Sequence, residues 1–406
     1  MTPSPSSAPT ISARTAGVRG SAIRDLLTLT ARPDVISLAG GLPAADLLPR
    51  ERIARAAAEA LTDPGAVQYG ETAGLARLRE VVAAHETGRG TGGARGPVRA
   101  ADVVVTSGSQ QALDLLARAV LDPGDAVVIE DPGYVGALQV FQAAGARVVP
   151  VGLDEHGMRV DELADRLAAG LRPRLVHTVS SFHNPRGVTL AAERRRALAE
   201  LAERHGFLVV EDDPYGLLSF DGPPPEPVAA HGERVVRLGS ASKVLAPALR
   251  VGWLVGPPEI AAAVELLRQG ADLCGSTLTQ AIAADLLADH DWFAGHLDTL
   301  RRAGAARAAA FTGAVAELLP GATWSRPTGG MFCWLELPAG TDTTAALPRA
   351  LEAGVGFVPG SAFAVGGALP SAARCCFASH PPEVLREAAR RLATVLAVPS
   401  GRGRST

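Results

Sequence analysis

Between about residues 100 and 255 the chain alternates short runs of β-branched residues with longer amphipathic stretches, an order that leaves few folds open. VVV (103–105), AVVI (126–129), RVVPV (147–151), LVHTV (175–179), FLVV (207–210), VVRL (235–238) and VGWLV (251–255) have the length and composition of strands. Helix patterns lie between them. In QQALDLLARAV (110–120), Leu113, Leu116 and Val120 share a face, and AAERRRALAELAERHG (191–206) closes on Gly206. Strands alternating with helices need crossover connections, so the expected class is α/β, with a mostly parallel seven-stranded sheet covered on both sides.

The polar segments fall in step with this alternation. SGSQQ (107–111), EDPGY (130–134), SSFHNPRG (180–187), EDDPYG (211–216) and GSASK (239–243) each follow directly on an expected strand. In open α/β sheets, ligands bind beyond the carboxyl ends of the strands, so five candidate loops converge on one edge.

The whole-chain properties narrow the function. Hydrophobic residues make up 47% and charged ones 20%, ordinary proportions for a globular chain of 406 residues. The formal charge of -3, with both signs interspersed, offers no overall attraction to nucleic acid or anionic membrane. Cys274, Cys333, Cys375 and Cys376 show no CxxC spacing, which suits neither a disulfide framework nor a zinc site, and a reducing, cytoplasmic setting is expected. No segment has the long uncharged apolar run of a membrane span, and no metal site is expected.

Residues 1–20, rich in Ser, Pro, Thr and Gly, read as a flexible tail, and 399–406 as a second. SAIRDLLTLT (21–30) is an expected helix before the loop SLAGGLPAADLLP (37–49), and residues 21–50 read as an arm packing with the smaller domain. Residues 51–288 are assigned to a large domain and 289–398 to a smaller α+β domain containing FCWLEL (332–337), GVGFVPG (354–360) and RCCFAS (374–379).

The loops carry chemistry with differing specificity. Gly108 and Ser109 open a helix after a strand, where free N–H groups and the helix dipole suit a phosphate, although a serine N-cap alone would look the same. The spacing is neither a P-loop nor GxGxxG. EDDPYG offers two carboxylates and a tyrosine, suited to two edges of one ring or to a surface turn. HNPRG holds an asparagine in a stiff loop, as any Asn-Pro turn does. In SASKVLAPALR (240–250) a lysine stands among small apolar residues; such surroundings lower an amine's pKa and favour Schiff-base chemistry.

Taken together, GGLP (40–43), QYG (68–70), SGSQQAL, EDPGY, HNPRG, EDDPYG, GSASKVLAPALRVGW (239–253), PTGGMF (327–332), FVPGSAF (357–363) and RCCFAS resemble the fold-type I pyridoxal-phosphate aminotransferases. The resemblance runs from Ser21 to Leu396 and is nearest to the branch holding 2-aminoadipate and kynurenine aminotransferases and the effector domains of MocR-type regulators. It implies pyridoxal 5'-phosphate as cofactor. Lys243 matches the lysine that binds the cofactor covalently and, once displaced, moves the substrate proton; Asp212 matches the carboxylate facing the pyridine nitrogen. Tyr215 and Asn184 match the partners of the ring hydroxylate, and Tyr134 the aromatic stacked on the ring. Ser109, Gln110, Ser240, Ser242 and Arg250 match the phosphate cup. Tyr69 would reach the phosphate of a neighbouring subunit, which implies a homodimer with composite sites.

On the substrate side, Arg374 matches the arginine that grips the α-carboxylate by a bidentate bond. Gly41, in GGLP, would let the backbone approach the substrate, and Arg24 resembles an N-terminal helix arginine that meets the far end of acidic substrates. Two departures stand out. Relatives commonly read NPTG where this chain has Asn184, Pro185, Arg186 and Gly187, so an extra cation either points to solvent or bears on acidic substrates. Cys375 and Cys376 follow Arg374 and read as small packing groups rather than redox centres.

Three functions are weighed. The first is a ping-pong aminotransferase passing nitrogen from an L-amino acid to a 2-oxo acid, 2-oxoglutarate being the expected acceptor. The second keeps the cofactor and changes the outcome to racemisation, decarboxylation, elimination or oxidation. The third is a MocR-like ligand sensor, which the sequence disfavours because only some twenty residues precede SAIRD and none form a basic recognition helix.

Overall fold

The computed structural model describes residues 32–396. Arg24, the whole of the expected 21–30 helix and both tails lie outside the described residues. The described residues begin with the two-residue strand β1 (Ile36–Ser37) and the helices α1 (Arg50–Ala60) and α2 (Ala76–Gly88). The α/β region follows as β2 (Val103–Thr106), α3 (Ser109–Val120), β3 (Ala126–Asp131), α4 (Val135–Ala143), β4 (Arg147–Asp154), β5 (Gly157–Met158), α5 (Val160–Ala168), β6 (Leu175–Thr178), α6 (Ala192–His205), β7 (Leu208–Asp212), β8 (Val235–Ser240) and β9 (Gly252–Val255).

These strands form one sheet in the order β2-β9-β8-β7-β6-β3-β4-β5. All seven expected strands are present. The eighth, β5, is a two-residue piece folded back antiparallel on β4, too short to leave a periodic signal. The pairs β4/β3, β3/β6, β6/β7 and β7/β8 are parallel, and β9 runs antiparallel to both β8 and β2. The chain leaves β3 towards β4 and returns on the other side of β3 as β6, so the order reverses between β3 and β6, where a crevice opens at the strand ends.

Period-two alternation sends adjacent residues of each strand to opposite faces. Val127, Val210 and Val236 pack with Leu113 and Leu116 of α3, Phe141 of α4 and, from α7 (Pro258–Gln269), Val264. Their neighbours Val128, Val209 and Val235 pack on the other face with Leu163 of α5 and Leu198 and Ala202 of α6. Both faces are therefore dry, as a parallel sheet requires.

The helix α8 (Thr277–Ala288) packs against α1 and α2. The 29-residue α9 (His290–Leu318), about 44 Å long at helical rise, then leads into the second unit. Its start buries Phe293 and Leu297 in the large core, while Phe311 and Val315 near its end belong to the small one. The small unit holds β10 (Thr323–Trp324), β11 (Phe332–Glu336), α10 (Thr343–Glu352), β12 (Val355–Gly356), β13 (Val358–Pro359), β14 (Ala372–Cys376) and α11 (Pro382–Leu396). An antiparallel sheet, β10-β11-β14-β13, forms its floor, and β1 pairs in parallel with β12, which ties the segment around residue 36 to this unit. Among the described residues no helix is long and apolar enough to cross a membrane.

Candidate active site

A cavity of about 570 Å³ opens at the carboxyl ends of the central strands, between them and β14. It is lined from the β2–α3 corner by Ser109 and Gln110, from the end of β3 by Tyr134, from the loop after β6 by Asn184, from β7 by Asp212 and Tyr215, and from the β8 end by Ser240, Ser242 and Lys243. Arg250, Arg374, Gly41 and Phe332 complete the wall. Of the described residues expected to bind cofactor or substrate, Tyr69 alone does not line this cavity. Tyr69 is 80% exposed and does not line this chain's cavity.

At one end of the cavity stands a cradle for an anion. Gly108 caps α3 with φ +89°, a conformation side chains rarely adopt, and a Cβ there would lie 2.6 Å from Arg250 Nη2. Glycine thus lets the guanidinium close over the helix N-terminus. Arg250 itself is left-handed (φ 52°, ψ 47°) and donates Nη2–H to the Ser107 carbonyl at 2.7 Å. The Ser240 hydroxyl accepts from Ser242 N–H at 3.2 Å, so both serines sit on one tight turn beside these donors.

The middle of the cavity is built for a polar ring. Asp212 Oδ1 is buried with no hydrogen-bond partner among the described residues, and the nearest basic group behind it, His177 Nε2, stands 3.8 Å from Oδ2. A buried carboxylate oxygen left open on a ligand cavity is explained by a donor that arrives with the ligand. Tyr215 is buried and packs edge-on to Phe332 at 5.8 Å. Burial, then the neighbouring Tyr134 and Asp212, push the Tyr215 hydroxyl up, so it remains a proton donor. Tyr134 is held in the same way, by burial and then by Asp212, and donates to Gln110 Oε1 at 3.0 Å.

Lys243 reaches across to donate Nζ–H to the Gly41 carbonyl at 2.7 Å. Burial lowers its pKa, Cys376 opposes this, and the cations Arg374 and Arg250 lower it further. The amine is consequently more nucleophilic at neutral pH than that of a surface lysine.

Arg374, buried on β14, donates Nη1–H to Asn184 Oδ1 at 2.8 Å and Nη2–H to the Ala39 carbonyl, while its Nε is unpartnered among the described residues. Its guanidinium lies 4.5 Å from the Phe332 ring centroid and 4.9 Å from that of Phe363. These aromatic neighbours favour a cation in a place where water is scarce. Phe332 was visible in PTGGMF but carried no chemical signal of its own.

Arg186 turns away from this cavity. It pairs with Glu336 at 3.1 Å and lines a separate cavity of about 450 Å³ between the loop after β6 and the β10–β11 hairpin. Cys333 and Cys375 face each other across β11 and β14 and are fully buried. Burial pushes the Cys333 thiol up to about 12, against a weak bond to Ser325, and raises Cys375 well above its usual value, so both are protonated packing groups. No cluster of His, Cys, Asp or Glu able to hold a metal occurs among the described residues.

The residues present fit a phosphorylated pyridine: an anion cradle, an open buried carboxylate, hydroxyl and amide donors, and a confined amine stand around one cavity. Comparison with known proteins leads to the same group. Residues 33–392 match the family described as aminotransferase class I and II. The aromatic-amino-acid aminotransferase 1 of Thermococcus litoralis is 39% identical over 389 residues, covering 94% of this chain and 92% of that protein. The structure of the multiple substrate aminotransferase of Thermococcus profundus superposes with a TM-score of 0.89 at 38% identity, covering 95% of this chain and 97% of that one. The α-aminoadipate aminotransferase of Thermus thermophilus, solved with N-(5'-phosphopyridoxyl)-L-leucine, superposes at 0.87 with 36% identity and coverages of 95% and 97%.

Proposed function

The chain belongs to the class I and II aminotransferases and depends on pyridoxal 5'-phosphate; on that premise we propose that it moves the amino group of an L-amino acid to 2-oxoglutarate by alternating half-reactions at the cavity of Lys243. The observation that carries the reading is the convergence of the Lys243 amine, the open Asp212 carboxylate and the Arg374 guanidinium on one cavity. Pyridoxal phosphate, when bound, supplies a ring that draws in the electron pair left when the substrate Cα–H bond breaks.

The chain's own residues set up that event. Ser109, Gln110, Ser240, Ser242 and Arg250 hold the phosphate with donors and positive charge. The open Asp212 carboxylate would accept from the pyridine N–H and favour its protonated form. Asn184 Oδ1 is already committed to Arg374, so its Nδ2–H group is free to donate to the ring oxygen alongside the Tyr215 hydroxyl. Tyr134, which lines the same cavity, would pack over the ring. Arg374 pairs with the substrate carboxylate, and Gly41, whose carbonyl holds the Lys243 amine, brings the backbone against the substrate. Lys243 would carry the proton removed from the substrate Cα, a task for which a burial-depressed amine is suited.

Aromatic and α-aminoadipate donors are the first candidates, because relatives of this identity are named for them. Arg24, outside the described residues, is kept as the group for the far end of an acidic substrate. A homodimer is part of the proposal: Tyr69, Val67 and Leu42 are exposed, and Tyr69 would complete the phosphate site of a second copy. The four cysteines, all free, suit a cytoplasmic setting.

The test is to add single amino acids to the holoenzyme without acceptor and follow the visible absorption of the bound cofactor. Transamination converts the absorption to that of the aminated cofactor, and 2-oxoglutarate restores it. A spectrum that stays put with every donor, or carbon dioxide or racemised amino acid as product, would replace transamination by another outcome of the same chemistry.

A further inference from the structure

The second carboxylate of EDDPYG has no place in the site just described, and the structure gives it one behind the site. Asp213 turns away from the cavity, and its side chain is wholly buried. Oδ1 accepts from the Gly216 N–H at 2.7 Å, closing a turn around Pro214 and Tyr215. Oδ2 accepts from Arg237 Nη2 at 2.7 Å and from Arg89 Nη2 at 3.1 Å. One carboxylate therefore both shapes the turn that presents Tyr215 and anchors it to two cations.

Those cations belong to a larger buried set. Arg237, on β8, also donates Nε–H to Glu86 of α2 at 2.8 Å and stands 3.5 Å from Glu211 of β7. Glu86 accepts from the Trp253 indole on β9 at 2.8 Å, and Glu211 pairs with Arg195 of α6 at 3.3 Å. Glu86, Glu211 and Asp213 balance Arg89, Arg195 and Arg237, so the set is neutral. Removing one member of a buried ion pair leaves an uncompensated charge, which makes each position expensive to disturb. Asp212 and Tyr215 thus flank a residue tied to Arg89, just after α2, and to Arg237 of β8, which in turn reaches Glu86 of α2.

We propose that Asp213 is the positioning residue for Asp212 and Tyr215, setting both ring-facing side chains through the turn it closes with Gly216 N–H, while its pairing with Arg237 and Arg89 contributes stability. Asp213 touches neither substrate nor cofactor. The inference rests on the reading of Asp212 and Tyr215 given above.

Two substitutions separate its parts. Asp213→Asn keeps an oxygen for the Gly216 N–H and removes the charge, whereas Asp213→Ala removes both. Holoenzyme of each variant, of Asp212→Asn and of the wild type is compared for cofactor dissociation constant, visible spectrum of the bound cofactor, kcat, KM and melting temperature. Losing the turn bond should weaken cofactor binding by about 3- to 10-fold in Asp213→Ala, lower kcat and leave the KM for the amino donor near wild type. Asp213→Asn should keep cofactor affinity and spectrum near wild type yet melt as low as Asp213→Ala, or lower, because Arg237 and Arg89 lose their counter-charge. Wild-type cofactor affinity and spectrum in Asp213→Ala, with only a lower melting temperature, would reduce Asp213 to a stability role and overturn the proposal. Equal cofactor loss in both variants would overturn the turn-closing part of it. If Asp212→Asn also left cofactor binding unchanged, the reading of the site itself would fall, which Asp213 variants alone cannot produce.

Discussion

Arg374 donates to the side-chain oxygen of Asn184 at 2.8 Å, joining β14 of the small sheet to the loop that follows β6 of the large one. The bond fixes which end of the Asn184 amide faces the cavity, and it holds the guanidinium in place before any substrate carboxylate arrives. Truncating one partner of a buried hydrogen-bonded charge pair costs about 2–5 kcal/mol. Arg374→Ala should therefore lower kcat/KM at least about 30-fold for every amino donor. Asn184→Ala should weaken cofactor binding as well. Because the two side chains touch, their effects in the double variant should fall short of additive by more than about 0.5 kcal/mol; strict additivity would show that the bond does not order the site.

Lys243→Ala should reduce turnover by at least about 10²- to 10⁴-fold, the range expected for losing a positioned proton-transfer group. The cofactor should still be retained by the cradle around Arg250. The amine's depressed pKa gives a second readout, since only its neutral form attacks a carbonyl. Covalent capture of pyridoxal phosphate by the apoprotein should accelerate with rising pH and level off at lower pH than capture by a free lysine side chain. A plateau at the same pH as free lysine would mean that burial does not tune this group.

The sheet was legible because a parallel sheet writes itself as continuous β-branched runs, and each ligand loop begins where such a run stops. For that reason Ser109, Tyr134, Asn184, Asp212 and Lys243 were all found on one edge. Direction and pairing were not legible. The resemblance picks Asp212 for the ring, but the residues alone do not say where Asp213 goes; the structure sends it to Arg237. Nothing near Arg237 announces Glu86, 151 positions away, as its partner. Arg186 sits two residues from Asn184, yet its turn carries it to Glu336. The strand β5 escaped because two residues hold no period.

Acid should unfold the protein through the set around Arg237. Burial alone would raise the Glu86 carboxyl, but the charge of Arg237 overrides it, helped by His85 and Arg89, and holds it at about 2. Asp213 is likewise depressed, its burial outweighed by Arg237 and Arg89. A carboxylate with a lowered folded-state pKa stabilises the fold above its unfolded value near 4 and loses that contribution as pH falls towards the folded value. For Glu86 the contribution is about 3 kcal/mol. Melting temperature should then hold steady down to about pH 5 and drop steeply between about pH 4.5 and 2. Arg237→Met should cost about 3–5 kcal/mol at neutral pH and flatten that acid limb, which denaturant titrations across the pH series would show. An unchanged limb would place the acid-labile charges elsewhere.

Tyr69 offers the clearest test of a composite site. Tyr69 is 80% exposed and does not line the cavity of its own subunit, and Val67 near it is 71% exposed. Both would be covered in a dimer whose second copy accepts the Tyr69 hydroxyl at its phosphate cradle. Sedimentation should accordingly give a dimer, with cofactor affinity falling as dilution separates the subunits. Tyr69→Phe removes one hydrogen bond to a charged group, a change of about 1.5–3 kcal/mol. It should weaken pyridoxal-phosphate binding by about 10- to 100-fold without altering the dimer. Mixing Tyr69→Phe with Lys243→Ala subunits should restore one complete site per mixed dimer, formed by the Lys243 of one chain and the Tyr69 of the other. A monomer that binds cofactor at full strength, or no recovery on mixing, would show that each chain completes its own site.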